Sequence, residues 1–279
     1  MKKLNLILLF LILIPLTSVL LSGVSLADIT LPYSTTFNCP EQVLIGNVYN
    51  CDGLINVGGA DSSGHYPSIT TDANFPNGGG VRGARFWVGL NKNDYASAFV
   101  YQFPPVSEIW VRGYVSYEPG MIFTQGQKLA YFINGLYIVI AGNYLRITDV
   151  DTYNYYNNVN GTMGLQYFYG GPGFHTAADG SWHCIEFHWK AQNPSTASNG
   201  QFDIWIDSTQ YMHYDTIHFG AMTQPGFTMT SNNDPVDNPT DQWEDWDDIA
   251  VSATGRLGCP YTLGAAGPSP NPPTNLKAQ

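Results

Sequence analysis

Residues 181–207, SWHCIEFHWKAQNPSTASNGQFDIWID, constrain the fold more than any other stretch of the chain. In the first part, Ile185, Phe187 and Trp189 alternate with polar side chains, and a second run alternates in the same way around Ile204. A period of two is typical of a β-strand with one buried face. The loop between the runs is rich in Asn, Ser, Pro and Gly, which interrupt strands. The stretch therefore predicts a β-hairpin with one apolar face.

The opposite face of this hairpin is chemically mixed. An acid, an imidazole, an amine and an indole share it, and we take these side chains as candidate substrate-binding or catalytic residues: Glu186, His188, Lys190, Asp203 and Trp205. A sheet face that is simply half exposed to water has the same appearance. The core-facing set is expected to be Ile185, Phe187, Trp189, Phe202, Ile204 and Ile206.

The hairpin sequence resembles a known superfamily. WHCIEFHWK, an N-G turn and FDIWID resemble the central hairpin of concanavalin A-like lectin and glucanase jelly rolls, which include secreted polysaccharide lyases and lectin-like modules. EIWVRGYVSYEPG, QKLAYF and WDDIAVS resemble further strands of that fold. The resemblance implies a jelly roll over most of the chain. These motifs are strand patterns, not catalytic signatures.

Short strand patterns separated by turn residues continue through the chain. We predict strands at 85–90, 98–103, 109–117, 128–133, 136–141, 144–148, 165–169, 210–219, 227–230 and 249–253, besides the hairpin. No amphipathic helix and no internal repeat interrupts them. Many short strands with regular turns are typical of an all-β sandwich or barrel. With the resemblance, this predicts an all-β, two-sheet antiparallel β-sandwich of the concanavalin A-like jelly-roll type.

The two ends of the chain differ from its middle. Residues 1–27 have Lys2 and Lys3, a long apolar run and a small-residue end at Ala27, which is typical of a signal peptide; a retained membrane anchor is the alternative. We expect residues 28–262 to form one domain in a secreted, extracellular or periplasmic protein, with no membrane span after cleavage. Residues 263–279 are rich in Pro and Gly and predict a flexible tail, although PPTNLKAQ resembles the start of a fibronectin type III module.

Charge and composition restrict the classes of ligand that the protein is expected to bind. The formal net charge is −11 at pH 7, and removal of Lys2 and Lys3 would make it −13. Nucleic acid is therefore not expected as a partner, since its binding requires a basic surface. Aromatic residues make up 14% of the chain and charged residues only 12%. This balance fits glycan recognition by stacking and hydrogen bonds, and fits equally a sandwich that uses aromatic residues as core.

Four cysteines in an exported chain predict two disulfides. Three connectivities are open. Cys39 with Cys51 is the local choice and leaves Cys184 with Cys259, but the sequence does not decide between them. No CxxC pair supports a thiolate zinc site.

A catalytic hypothesis involves residues of the strand predicted at 109–117. If it lies beside the hairpin, Arg112 and Tyr114 share the polar face with Glu186 and His188. A concave groove of this kind has the groups needed for β-elimination on a uronic acid: a cation for the carboxylate, a base for the C5 proton and a Tyr to protonate the leaving oxygen. The alternative is that Arg112 simply forms a cross-strand ion pair with Glu186, worth about 0.2–1 kcal/mol.

Family catalytic motifs are missing. The E-x-D-x-x-E strand of superfamily glucanases does not occur. Jelly-roll alginate lyases carry Q-x-H and a later Y-F-K-x-G-x-Y, but here Glu186 replaces the Gln, and the nearest second motif has Ile133 in place of Lys and precedes the His strand. We therefore expect a glycan-binding or surface-interaction module, with a polysaccharide lyase (Arg112, Tyr114, His188) as the alternative and a purely structural envelope protein as a third reading.

Residues 234–248 are rich in acidic side chains. In superfamily relatives an Asp before the last core strand ligates a structural calcium, and DDIAV places Asp247 at that position. Calcium takes six to eight oxygen ligands, which such a cluster can supply. The alternative is a solvated acidic loop. The resemblance thus predicts structural Ca²⁺ at Asp247.

Overall fold

The computed structural model describes residues 28–44, 51–53, 55–57, 66–88, 98–122, 125–134, 136–141, 144–149, 167–169, 178–230 and 242–261. Within them, sixteen strands and one short 3-10 helix, Thr71–Ala73, form two antiparallel sheets. The strands are β1 (Tyr33–Thr35), β2 (Gln42–Val43), β3 (Ile55–Val57), β4 (Ser68–Thr70), β5 (Gly83–Val88), β6 (Ala98–Val106), β7 (Glu108–Tyr117), β8 (Gln125–Phe132), β9 (Leu136–Ala141), β10 (Tyr144–Asp149), β11 (Tyr167–Tyr169), β12 (Trp182–Lys190), β13 (Gly200–Ile206), β14 (Thr209–Ile217), β15 (Gln224–Thr230) and β16 (Gln242–Ser252).

The first sheet has the order β14-β13-β12-β7-β16-β5-β4-β2, with β1 also paired to β16. The second has the order β11-β10-β9-β8-β15-β6-β3. This arrangement confirms the predicted two-sheet antiparallel β-sandwich. Among the described residues, no helix is long and apolar enough to cross a membrane.

The predicted hairpin is β12 and β13, and its register matches the alternation. Ile185, Phe187, Trp189, Phe202 and Ile204 are fully buried, and Ile206 is partly buried against the same core. Rings from both sheets meet between them: Phe187 lies 5.9 Å from Phe227 of β15, and Phe202 lies 6.3 Å from Phe132 of β8. The core therefore forms between the sheets, and the polar residues of the hairpin lie on the outer face of the first sheet.

The last strand differs most from its prediction. We predicted a strand at 249–253, whereas β16 starts seven residues earlier, at Gln242, and every one of its residues is buried. Its edge is divided, since Gln242–Trp246 pair with β5 and Ile249–Val251 pair with β1. A register shift after Asp247, with Asp248 at φ 46, separates the halves. The acidic run is thus not a solvated loop over residues 242–248; residues 234–241 lie outside the described residues.

The two disulfides are Cys39–Cys51, which is the local pairing, and Cys184–Cys259. The first closes a short segment with a sequence separation of 12, and the second joins residues 75 apart. The second links β12 to the segment that follows β16. We call that segment, residues 253–261, the C-terminal strap.

Candidate functional site

The outer face of the first sheet is an ordered grid of side chains. One row across the strands joins Ser252, Trp110, His188, Asp203 and His213; the next joins Ala250, Arg112, Glu186, Trp205 and Gln210. A third row joins Asp247, Tyr114 and Cys184. The strand at 109–117 is thus the direct neighbour of the hairpin, and the structure brings the predicted residues onto one face. We call it the polar face.

The C-terminal strap covers part of this face. Arg256 Nε lies 2.9 Å from Glu186 Oε2, and the backbone N–H of Leu257 donates to Glu186 Oε1 at 2.7 Å. The Gly258 N–H adds a longer bond of 3.3 Å, and Cys259 is joined covalently to Cys184. As a result Glu186 is fully buried. Its carboxylate anchors the strap, so it does not face solvent as a groove residue.

Tyr114 lies under the same cover. Its ring stacks on Phe75 at 4.2 Å between centroids, and the ring of Tyr261 lies 5.5 Å away. Its hydroxyl accepts a hydrogen bond from the Tyr261 N–H at 3.2 Å, and no part of the side chain is exposed. Burial raises the pKa of Tyr114 although the Tyr261 N–H opposes that change. We call the region of Tyr114, Cys184, Glu186 and Asp247 the covered half.

Arg112 is also buried. Its Nη2 donates to the backbone oxygen of Asp248 at 3.3 Å, and its Cζ lies 5.6 Å from the Tyr114 ring. The predicted alternative of an Arg112–Glu186 ion pair is not the observed arrangement, because Arg256 takes the Glu186 carboxylate. The guanidinium stabilises the bulged turn of β16 rather than a cross-strand pair.

The remainder of the polar face carries two half-buried indoles and the exposed Lys190, around the buried His188 and Asp203. The Trp110 ring stacks in parallel on the imidazole of His188 at 4.4 Å between centroids, and the Trp205 ring centroid lies 6.5 Å from that of His188. The Arg256 guanidinium lies 4.2 Å from the centroid of Trp205. We call the region of Trp110, His188, Lys190, Asp203 and Trp205 the open half.

The Asp203 carboxylate contacts four polar side chains in and around the open half. Its carboxylate is fully buried and accepts from Gln201 Nε2 at 2.8 Å and Gln210 Nε2 at 3.0 Å. It also pairs with His188 Nδ1 at 2.8 Å and His213 Nδ1 at 2.5 Å. Burial alone would raise the pKa of Asp203, but the hydrogen bonds from His188, His213 and Gln201 outweigh it and lower the pKa. Asp203 therefore positions polar side chains rather than contacting a ligand itself.

His188 is held on both ring nitrogens. Nδ1 meets Asp203, and Nε2 lies 3.1 Å from Glu108 Oε1, which Lys190 Nζ also approaches at 3.3 Å. Both ring nitrogens therefore lie within hydrogen-bond distance of a carboxylate oxygen, which leaves neither directed at a ligand. Lys190 is exposed beside it.

Asp247, the predicted calcium ligand, is fully buried, and both of its oxygens are engaged. Oδ2 accepts from the Phe75 N–H at 2.8 Å and Oδ1 from the Asp248 N–H at 2.7 Å. Burial raises the pKa of Asp247 to about 8 despite these bonds, with the charges of Asp248 and Asp245 adding to the effect. Within the described residues, no group of three acidic or histidine side chains gathers around it. These residues do not fit a calcium cage, although Asp234, Asp237 and Asp241 lie outside the described residues, so the calcium at Asp247 stays an untested prediction.

Sequence reasoning missed several residues of this face. Arg256 and Phe75 come from segments without periodicity, so no pattern indicated them. A buried pair of Arg85 and Asp245, bonded at 2.7 and 2.8 Å, lies on the same sheet, with Trp243 4.4 Å from the guanidinium. Arg85 and Phe86 are consecutive in β5, so their side chains point to opposite faces of the sheet. The register between β5 and β16 places Asp245 beside Arg85.

Comparison with known proteins supports the fold. No protein-family model matches the chain, and no curated protein matches it. The endo-β-1,4-glucuronan lyase from the fungus Trichoderma reesei is 14% identical, with a TM-score of 0.50 over 67% of this chain and 87% of that chain. The alginate lyase vAL-1 from Chlorella virus is 12% identical, with a TM-score of 0.52 over 72% of this chain and 92% of that chain. At such identity the likeness shows the concanavalin A-like β-sandwich fold alone.

Proposed function

We propose that the protein is a secreted carbohydrate-binding module that holds a glycan along the open half of the polar face. The observation that carries the proposal is the pair of half-buried indoles, Trp110 and Trp205, on the two strands that flank β12. Indole rings stack on the apolar faces of sugars while neighbouring polar groups bond to the hydroxyls. The two strands lie about 10 Å apart, which spaces the rings across a groove-sized surface.

The polar surroundings support the same function. Gln201, Gln210 and His213 are each held by Asp203, so their remaining donors and acceptors keep fixed directions. Fixed polar groups bind hydroxyls with less loss of side-chain entropy than mobile ones. Lys190 adds an exposed amine at the end of the row. The two solved structures described above are polysaccharide lyases by name, so proteins of similar fold act on glycan chains.

A lyase is the second candidate, since Arg112, Tyr114 and His188 occupy neighbouring strands of one face. Three observations weaken it. Tyr114 is fully buried under Phe75 and Tyr261, both nitrogens of His188 meet carboxylates, and Arg112 is bonded to the Asp248 backbone. A base and an acid must reach the proton that they transfer. In this arrangement neither Tyr114 nor His188 reaches a bound sugar.

The test is glycan binding by the wild type and by Trp205→Ala. We expect at least one glycan on a broad array to bind, and the substitution to weaken its affinity about tenfold or more, equivalent to about 1.4 kcal/mol. The melting temperature should change little. Trp189→Ala is the matched control, because that indole is fully buried and its loss should cost about 3–5 kcal/mol of stability.

Two results would contradict the proposal. One is that no glycan binds the wild-type protein. The other is that uronate polymers incubated with it yield the ultraviolet-absorbing unsaturated product of β-elimination, and that Tyr114→Phe abolishes this activity; the lyase reading would then replace the binding module.

A further inference from the structure

We infer, on the basis of the proposed glycan site, that the open half selects neutral glycans and discriminates against uronate chains. The inference starts from the charges at its surface. Lys190 of the open half and Arg256 of the neighbouring strap are each within ion-pair distance of a carboxylate. Arg256 is bonded to Glu186 at 2.9 Å, and Lys190 lies 3.3 Å from Glu108.

The histidines do not add an uncompensated charge. His188 lies between Asp203 at 2.8 Å and Glu108 at 3.1 Å, and His213 meets Asp203 at 2.5 Å. The exposed Asp215 lies 3.9 Å from the other nitrogen of His213. Carboxylates therefore accompany Lys190, His188 and His213, on a chain whose formal net charge is −11.

A uronate carboxylate would enter this surface at a cost. To reach Arg256 or Lys190 it must come close to Glu186 or Glu108, and like charges placed together repel each other. Discrimination of this kind is produced by repulsion of the wrong ligand as much as by attraction of the right one.

Neutral sugars meet the same groups favourably. A sugar hydroxyl donates to the carboxylate oxygens at the edge of the open half, such as those of Glu108, which we call the acidic rim. It accepts from the amides of Gln201 or Gln210. Neither contact requires an unpaired cation. One face of the Trp110 ring lies against His188 and one face of the Trp205 ring against Arg256, so a sugar stacks on the exposed part of each half-buried ring, and the carboxylates beside the rings determine the preference.

Matched glycan pairs that differ only in charge test the inference. Suitable pairs of equal length are cello-oligosaccharides with β-1,4-glucuronan, mannan with mannuronan, and methyl-esterified with de-esterified polygalacturonate. In any pair that binds, we expect the neutral member to bind about tenfold or more tightly, measured by calorimetry at low salt. The difference should shrink as salt rises, since salt screens charges.

A charge variant gives a second measurement. Glu108→Gln removes one carboxylate next to Lys190 and His188, and its side chain is 30% exposed, so the fold should tolerate it. The preference for the neutral member should fall by severalfold. Glu41→Gln is the control: Glu41 accepts from Thr70 Oγ1 at 3.2 Å at the opposite edge of the same sheet and should leave the preference unchanged.

The outcomes separate the two proposals. Tighter binding of a charged member, with glycan binding intact, overturns the neutral preference and leaves the binding module standing. An unchanged preference in Glu108→Gln also overturns it, because the rim would then not be its source. Absence of binding to every member of every pair contradicts the binding module itself, and the inference falls with it.

Discussion

The covered half and the open half of the polar face are built from the same kinds of residue and have different roles. Each has a fully buried carboxylate with several donors, Glu186 in one and Asp203 in the other. Around Glu186 the donors come from the strap, and its backbone and Arg256 close over the sheet. Around Asp203 they come from side chains of the sheet itself, so the surface above stays accessible. What lies over a residue, rather than its type, decides whether it serves stability or binding.

The largest expected effect concerns the disulfide that fastens the strap. Replacing both Cys184 and Cys259 by Ala should lower the free energy of unfolding by about 4–5 kcal/mol, because a long loop is no longer closed in the unfolded chain. Chemical denaturation measures it. The control is Cys39→Ala with Cys51→Ala. The disulfide that it removes closes a much shorter loop, so its loss should cost about 3 kcal/mol. Equal losses would contradict the dependence of the stabilisation on loop length.

The pH dependence of stability should have opposite signs for a buried acid of the covered half and one of the open half. Burial raises the pKa of Asp247 from 3.8 to about 8, so the folded state keeps a proton that the unfolded state has lost. This group's contribution to stability therefore falls as pH rises from about 4 to about 8, by at most about 1.4 kcal/mol per pH unit. The pKa of Asp203 is lowered, so its contribution is present above its ordinary value of 3.8 and is lost as pH falls through the folded value.

Denaturation at a series of pH values in two variants checks both signs. Asp247→Asn should reduce the decline between about pH 4 and 8, most of all above pH 6, because burial also raises the pKa of Asp245, to about 6; Asp203→Asn should flatten the acid limb only. A wild-type curve that rises steadily through neutral pH, unchanged in Asp247→Asn, would contradict the assignment for the covered half.

The same substitution in each half should have unequal effects. Glu186→Gln leaves a buried amide facing two backbone N–H groups and Arg256, and should cost about 2 kcal/mol of stability. Glu108→Gln alters a partly exposed pair and should cost less than about 1 kcal/mol. Thermal melts of both variants side by side make the comparison, and a Glu108 effect as large as that of Glu186 would remove the distinction between the halves.

A small effect on stability, and none on binding, is expected from Tyr114→Phe. The loss of the hydroxyl leaves the Tyr261 N–H without its acceptor, at a cost of about 1 kcal/mol. Glycan affinity should not change, because the ring is fully buried. A loss of affinity with unchanged stability would place Tyr114 in the binding site and make the strap a removable cover.

Much of the sandwich follows from local patterns. The alternation of β12 and β13 predicted the core-facing side, because the side-chain period of a strand is independent of the rest of the chain. The alternation at 109–117 put Arg112 and Tyr114 on one face of their own strand, but their position beside Glu186 and His188 was a condition of the catalytic hypothesis and is supplied by the pairing of β7 with β12. The strands missed entirely, β1 to β4, have two or three residues each and leave too little sequence for a period to appear.

The composition of the covered half could not be predicted in this way. The residues that close it, Arg256 to Tyr261 and Phe75, are turns and loops whose position depends on a disulfide and on contacts distant in sequence. The start of β16 was missed because WEDWDD lacks an apolar alternation; Asp245 and Asp247 are buried there only because Arg85 and the Phe75 N–H meet them. The partners, and so the burial of these acids, exist only in the folded chain.

The central position of β16 has a consequence for how the chain reaches this fold. The strand lies between β7 on one side and β5 with β1 on the other, and it pairs Val251 with Tyr33, near the other end of the described chain. Until it is inserted, the first sheet exists as separate pieces with exposed edges, which are prone to pair with other chains. Such distant pairing also slows folding. We expect the first sheet to assemble last and cooperatively, with closure of the Cys184–Cys259 bond after the insertion of β16.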